Sequence, residues 1–490
     1  MCRLGNGFEL VVVLRMGLLT ELFRGGAYPH RIHCRQLGIL AGGQRVDGKG
    51  NHPQYRPLPC RRSFGSRYWT GPRGQKVGEG DHEWILGWPH MPTANLATRR
   101  MRVLWAPDHN AGTWYPIVPV VEALGRAGHT VVVSGPPSVR AIAASMVLPW
   151  LPDDFALVRT ASRERPTGFD DALRSRAQVA RASFAALRPL LASGEFDVVL
   201  ADPFRYGAGL AAREVGTPWV SYVHHCFSGD KLMDGLFEMS WAQWGRQGDI
   251  AAEYQAWWAE LRTELGIGPE LRPAAEAWAY AVSSRLSLIL GPLALPPERM
   301  PPGGVAIGST PWDPPRSIPP WIYERLSARP LVLTASSSDQ LNFPFAALAE
   351  AAGSIQVDMV ISGAGPSAVP DLPANVTLGG HLSHLQLLPY VKAVVCAGGW
   401  GLTTKALAAG IPVGVLPHGL DTGNVARVVV AHSCGVQVQP SDYTPAHLAA
   451  VITTLLQDPS VRNGAAAMAE PDAPGAAARR AVAQIEAACE

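Results

Sequence analysis

The chain is poor in the residues that would staple or anchor it. Its seven cysteines (Cys2, Cys34, Cys60, Cys226, Cys396, Cys434 and Cys489) are scattered, odd in number and without a CxxC pair. That pattern argues against a disulfide framework and against a zinc site, so no metal is expected, and it fits a reducing cytoplasm. No apolar run reaches the length needed to span a bilayer, so no stable membrane insertion is expected. The stretch Leu10–Leu19 is short, interrupted by Arg15 and followed by no convincing cleavage site, so it is not read as a signal peptide. There is no short-period repeat. Charged residues make up 17% and hydrophobic residues 47% of 490 positions, which is the balance of a globular chain too long for one ordinary core.

The small net charge of +2 hides an uneven distribution. Residues 1–100 hold 15 Lys and Arg against 6 Asp and Glu, leaving 27 against 34 for the remainder. The main body is therefore mildly acidic and carries no electrostatic footprint for nucleic acid. The first hundred residues are rich in Arg, Gly, Pro and Gln with little periodicity, and include the cluster Cys60-Arg61-Arg62. They are expected to form a disordered or non-native extension, with a basic nucleic-acid or membrane arm as the alternative.

From Met101 onward the chain alternates strand and helix patterns. Arg102–Ala106 and Thr130–Ser134 read as strands, with helical spacing of Ile117, Val118, Val120, Val121 and Leu124 between them. Asp197–Ala201 and Trp219–Val223 are further strands, separated by a helix over Gly207–Val215. This predicts a doubly wound parallel sheet, with ligands at the carboxyl ends of its strands. Those ends carry Asp108, His109, Asn110, Gly112 and Thr113, then Asp202, then His224 and His225. Trp241, Trp244, Trp257, Trp258 and Trp278 follow among helix formers, either lining a pocket for an apolar ring-bearing ligand or covering the sheet as core. A proline-rich segment over 291–320 reads as a stiff linker, and a second strand–helix series begins at Leu331. The expected organisation is an extension over 1–100, a lobe over 101–290, the linker over 291–320 and a second lobe over 321–490. The terminal helix over Ala476–Ala488 is expected to pack back across the first lobe.

One stretch, Ala393–Val428, concentrates the chemistry. A short apolar strand ends in Gly398, Gly399 and Gly401, and a helix follows. Glycines permit close backbone approach to a ligand, and a helix N-terminus offers free N–H groups and partial positive charge. Spacing alone leaves an anion site and a ligand-free tight turn equally open.

Together with the segments 112–133, 196–220 and 373–417 and the run from Asp421 to Asn424, this stretch resembles the UDP-glycosyltransferase superfamily. These are enzymes of GT-B fold, and the likeness is greatest to bacterial enzymes that decorate antibiotic aglycones. The resemblance covers about 390 residues in colinear order. It implies two Rossmann-like lobes with a cleft between them, an apolar small-molecule acceptor in the first and a nucleotide-sugar donor in the second. It implies inverting hexosyl transfer from a UDP- or dTDP-sugar as co-substrate, with no cofactor and no metal. The glycine turn would receive the donor diphosphate. The family places a histidine before the glycines, where this chain has Ala397, and a threonine on the turn, matched by Leu402 or better Thr403. The family's catalytic histidine is replaced by Thr113, its aspartate partner is matched by Asp202, and Asp108 or His109 could substitute as base. Donor contacts are further implied for Ser336 and Ser337, for His381 and Leu382 in the base-binding run, and for Asp421 and Thr422 at the sugar. Loss of two family histidines also fits a homologue that binds nucleotide as an auxiliary protein without turnover. Donor base, sugar, acceptor and oligomeric state stay open.

Overall fold

In the computed structural model of the chain, the described residues are 2–4, 8–10, 99–108, 111–153, 169–224, 250–268, 282–295, 300–301, 303–314, 316–324, 329–336, 343–417, 422–470 and 472–490. Two units are distinguished, Met1–Pro92 and Thr93–Glu490. In the first, β1 (Cys2–Leu4) pairs antiparallel with β2 (Phe8–Leu10); the rest of the expected extension up to residue 98 lies outside the described residues.

The second unit contains two parallel sheets. The N-terminal lobe has β3 (Arg102–Ala106), β4 (Thr130–Gly135), β5 (Trp150–Pro152), β6 (Val198–Ala201), β7 (Trp219–His224), β8 (Ser287–Leu290) and β9 (Gly304–Gly308), in the order β5-β4-β3-β6-β7-β8-β9. The C-terminal lobe has β10 (Leu331–Ala335), β11 (Asp358–Ser362), β12 (Val376–Gly380), β13 (Val391–Cys396), β14 (Val413–Val415) and β15 (Gly435–Gln437), in the order β12-β11-β10-β13-β14-β15. Every pairing in both sheets is parallel. Strands such as Val198–Ala201 and Ser287–Leu290 are buried along their whole length, which is why they read as continuous apolar runs rather than alternating ones. The expected doubly wound α/β architecture is thus present twice.

One sequence expectation needs correction, and one open alternative is decided for a single residue. The proline-rich segment over 291–320 is not linker throughout: Gly304–Gly308 pairs with β8 and closes the first sheet as its last strand. Proline-rich flanks hid a five-residue run whose backbone hydrogen bonds are satisfied only by a partner distant in sequence. The family of tryptophans following β7 is split. Trp258, on the helix Ile250–Glu264, is fully buried and packs edge-on to Tyr206 at 5.3 Å, so it is core rather than pocket lining. Trp241, Trp244 and Trp278 lie outside the described residues.

The terminal helix, Ala476–Cys489, does return to the first lobe. Its Ala478, Ala481, Val482 and Ile485 enter the core around Val103, Trp105 and Leu124. His129 joins the Glu486 carboxylate at 3.0 Å and, through Nδ1, accepts from the Met101 N–H at 3.1 Å. Glu470, just before that helix, accepts from the backbone N–H groups of Leu293 and Ser309, both at 2.8 Å. These bonds hold the chain where it crosses between lobes.

Candidate active site

The strand orders decide where a site can form. In the first sheet, connections run to opposite sides from β3 and β6, so the crevice opens beyond Ala106 and Ala201, which pair directly. In the second, the same reversal falls between β10 and β13, beyond Ala335 and Cys396. Ligands of doubly wound sheets bind at such switch points. Asp108 follows the first of these strands and Asp202 the second, while Ser336 and the glycine turn follow the other pair.

On the first lobe the strand ends hold a buried polar cluster. Asp108 is 4% exposed and Asp202 1%. The Asp202 carboxylate accepts from the Phe204 N–H at 2.9 Å. Burial pushes its pKa up to about 8, the neighbouring Asp108 charge adds to the rise, and the hydroxyls of Thr113 and Tyr222 that face it only partly offset this. The Asp202 carboxyl is therefore held well above the usual carboxylate range, as expected when two carboxylates share a dry site. Below them Arg205, fully buried, donates Nε to Ser183 at 2.9 Å, bonds the carbonyls of Pro107 and Ser134, and pairs with Asp153. Burial lowers it to about 9, and the Asp108 charge works against that fall. Thr113 sits on the short helix Ala111–Trp114 beside this cluster, where the family histidine would stand.

His224 completes the wall. It ends β7, is buried, and lies against the main chain of Gly112 and Thr113, whose hydrogen-bonding groups favour its charged form while burial pushes it down to about 4. It was read in the sequence only as a strand-end residue. His225 and His109 lie outside the described residues.

On the second lobe the glycine turn has the geometry its sequence suggests. Gly398 has φ +88°, and a Cβ there would come within 2.7 Å of Val415 Cγ1 and 3.1 Å of the Thr422 carbonyl oxygen. Only glycine fits. The helix Trp400–Ala408 starts at Gly399 with no side-chain cap, so its first N–H groups are available to a ligand. Helical phase then sorts the side chains. Trp400, Gly401, Thr404 and Lys405 line a small interlobe cavity with Pro116, His224 and Leu290 opposite. Thr403, expected as the phosphate threonine, is fully buried, and its hydroxyl donates to the Gly399 carbonyl at 3.0 Å. The threonine on the cleft is Thr404. Ala397 is 1% exposed within the hydrophobic core, and Leu402 packs against the core. Thr422 backs the turn from the helix Thr422–Ala431.

The lobes touch at this helix. Trp400 Nε1 donates to the Leu290 carbonyl at 3.3 Å. Lys405 pairs with Asp313 of the connecting segment, both nearly buried, and Asp313 also accepts from the Leu385 N–H at 2.8 Å. In the expected base-binding run, His381 is exposed and Leu382 is buried at 8%. His384 turns inward: its Nε2 bonds Ser362 Oγ at 2.9 Å, and burial beside Lys405 pushes it down to about 4. Ser336 is half-buried after β10, while Ser337 and Asp421 lie outside the described residues. Among the described residues no cluster of His, Cys, Asp and Glu could hold a metal ion, and no helix is long and apolar enough to cross a membrane.

Comparison with known proteins agrees with this fold. Residues 346–487 match the family described as erythromycin biosynthesis protein CIII-like, C-terminal domain. The 3-alpha-mycarosylerythronolide B desosaminyl transferase of Saccharopolyspora erythraea is 29% identical over 160 residues, 31% of this chain and 38% of that protein. The L-demethylnoviosyl transferase of Streptomyces niveus is 28% identical over 357 residues, covering 69% and 85%. The calicheamicin glycosyltransferase CalG4 superposes with a TM-score of 0.64 at 21% identity, covering 80% of this chain and 98% of that one. The glycosyltransferase VinC, solved in complex with dTDP, gives 0.59 at 22%, covering 79% and 99%. The chain has the GT-B fold. The resemblance to bacterial natural-product glycosyltransferases, carried in the sequence by the glycine turn and its neighbours, is borne out.

Proposed function

We propose that the protein transfers a hexose from a UDP- or dTDP-sugar to a hydroxyl of an apolar natural-product acceptor, with inversion at the anomeric carbon. The observation that carries this reading is the opposition of two switch points across one cleft. An uncapped helix N-terminus behind a glycine-only turn stands on one side, and the strand ends carrying the buried Asp108, Asp202 and His224, with Thr113 beside them, on the other. The leaving diphosphate would lie on the N–H groups at Gly399–Gly401 and on the helix dipole, which stabilise charge as it develops. Thr404 and Lys405 face the same space. Asp202 would hold the Thr113 hydroxyl on the first-lobe wall where the acceptor binds. The desosaminyl and demethylnoviosyl transferases among the relatives support a sugar-transfer activity. A cytoplasmic protein is the matching expectation, and nothing in the site calls for a metal or cofactor.

The test is incubation with a panel of nucleoside diphosphate sugars and hydroxylated aromatic or macrocyclic acceptors, read by mass spectrometry. Saturable binding of thymidine or uridine diphosphate together with a mass gain of one sugar on an acceptor is expected. No binding and no donor consumption would defeat the reading. Tight binding without turnover would favour an auxiliary protein instead.

A further inference from the structure

We infer that His224 is the general base of this site, taking over from the position that Thr113 now occupies. This rests on the glycosyl-transfer reading above and adds the residue that accepts the acceptor's proton.

The argument is one of placement. Among the described residues at these strand ends, four groups are weighed as the one that takes the proton. Thr113 has no base strength at neutral pH. Asp202 is 1% exposed and faces the Thr113 and Tyr222 hydroxyls. Asp108 is 4% exposed and is engaged electrostatically with Asp202 and Arg205. None of these three lines the interlobe cavity, whereas His224 does, together with Trp400, Gly401, Thr404 and Lys405 from the opposite lobe. An acceptor oxygen must approach the anomeric carbon from the side opposite the diphosphate. The diphosphate site is the N-terminus of the helix Trp400–Ala408, so the base has to stand across the cavity from it, and that is where β7 ends.

The surroundings of His224 suit the role. The ring lies against the main chain of Gly112 and Thr113, and these contacts favour the protonated ring. These backbone groups orient the imidazole and offset part of the cost that burial places on the imidazolium. Burial keeps the ring neutral in the resting state, so an accepting nitrogen is present at physiological pH. In the step itself the acceptor O–H proton passes to the imidazole while its oxygen bonds the anomeric carbon. The bond from that carbon to the diphosphate oxygen breaks, and its electron pair leaves on the diphosphate toward the helix N-terminus. The imidazolium then returns the proton to water as product departs.

The test compares two acceptors in wild type and in His224→Gln. An alcohol needs its proton removed; a dinitrophenol, ionised at neutral pH, does not. Positioned base catalysis contributes about a hundredfold or more, so His224→Gln is expected to lose at least about that factor in kcat on the alcohol. On the dinitrophenolate it is expected to stay within about threefold of wild type, with unchanged thymidine or uridine diphosphate affinity. His224→Ala supplies the second arm: added imidazole should restore turnover on the alcohol and leave the phenolate rate alone. Equal losses on both acceptors, or no loss on the alcohol, would overturn the inference while leaving the transferase reading intact. Wild type that moves no sugar to either acceptor would instead overturn that reading.

Discussion

Asp202→Asn should make the protein more stable at alkaline pH, and the size of the effect follows from the cluster at the first switch point. The asparagine keeps an oxygen for the Phe204 N–H, bonded at 2.9 Å in the wild type. It removes only the titration. In the folded chain burial and the Asp108 charge push the Asp202 carboxyl up to about 8; in the unfolded chain it returns to about 3.9. An acid with a raised folded value costs nothing below its unfolded value. The cost grows as pH rises between the two values and is constant above the folded one. Within that window the slope is at most about 1.4 kcal/mol per pH unit, which puts a ceiling of about 4 kcal/mol on the penalty at neutral pH. Because Asp108 shares the proton and the site can relax, a measured difference of about 1–3 kcal/mol is expected. Urea unfolding of both proteins from mildly acid to mildly alkaline pH, followed by tryptophan fluorescence, is the assay. His224 and His384, both pushed down to about 4, lose stability in the opposite direction as pH falls below the ordinary histidine range, and they cancel between the two proteins. A difference between wild type and variant that stays flat with pH, or an asparagine variant that is the less stable at alkaline pH, would refute the account of the paired carboxylates.

Three other outcomes follow from the same geometry. Gly398→Ala forces a side chain into φ +88° and to 2.7 Å from Val415 Cγ1, so it should cost about 1–3 kcal/mol and weaken calorimetric binding of thymidine diphosphate. Lys405→Met leaves Asp313 buried without its cation and should destabilise by about 3–5 kcal/mol in chemical denaturation, with most of that recovered when Asp313→Asn is added. Ile485→Ala, at the point where the terminal helix enters the first-lobe core, should cost about 2–5 kcal/mol and expose that helix to proteolysis earlier than the second sheet.

Much of the fold was legible because parallel strands covered on both faces read as apolar runs, and the helices between them carry their own period. Arg102–Ala106 is found with the bounds its sequence suggests. The strands that escaped notice are short or sit in misleading company, as Gly304–Gly308 does among prolines, and they exist because a neighbouring strand satisfies their backbone. Of the site, the glycine turn was legible since its requirement is local. That Thr404 rather than the expected Thr403 lines the cavity was not. One residue along a helix turns a side chain by about 100°, so the outcome depended on the helix starting at Trp400, which the glycines before it only approximately announce. The role of His224 was the least legible, since facing the cavity depends on Gly291, Pro311 and Trp400 arriving from other parts of the chain.

The two missing histidines bear on activity less heavily than a motif comparison suggests. Ala397 is in the core at 1% exposure, while the N–H groups of the following turn remain uncapped, so the charge-stabilising part of the site is made of backbone and survives the substitution. At the other position, Thr113 is held beside Asp202 and brings its own main chain against His224. Thr113→His therefore serves as a stringent check on how the site works. Placing an imidazole beside His224 sets two bases in one pocket, and the variant should gain little turnover on an alcohol acceptor. A gain of about tenfold or more in kcat would mean that the wild-type site lacks an effective base and that His224 does not fill the role.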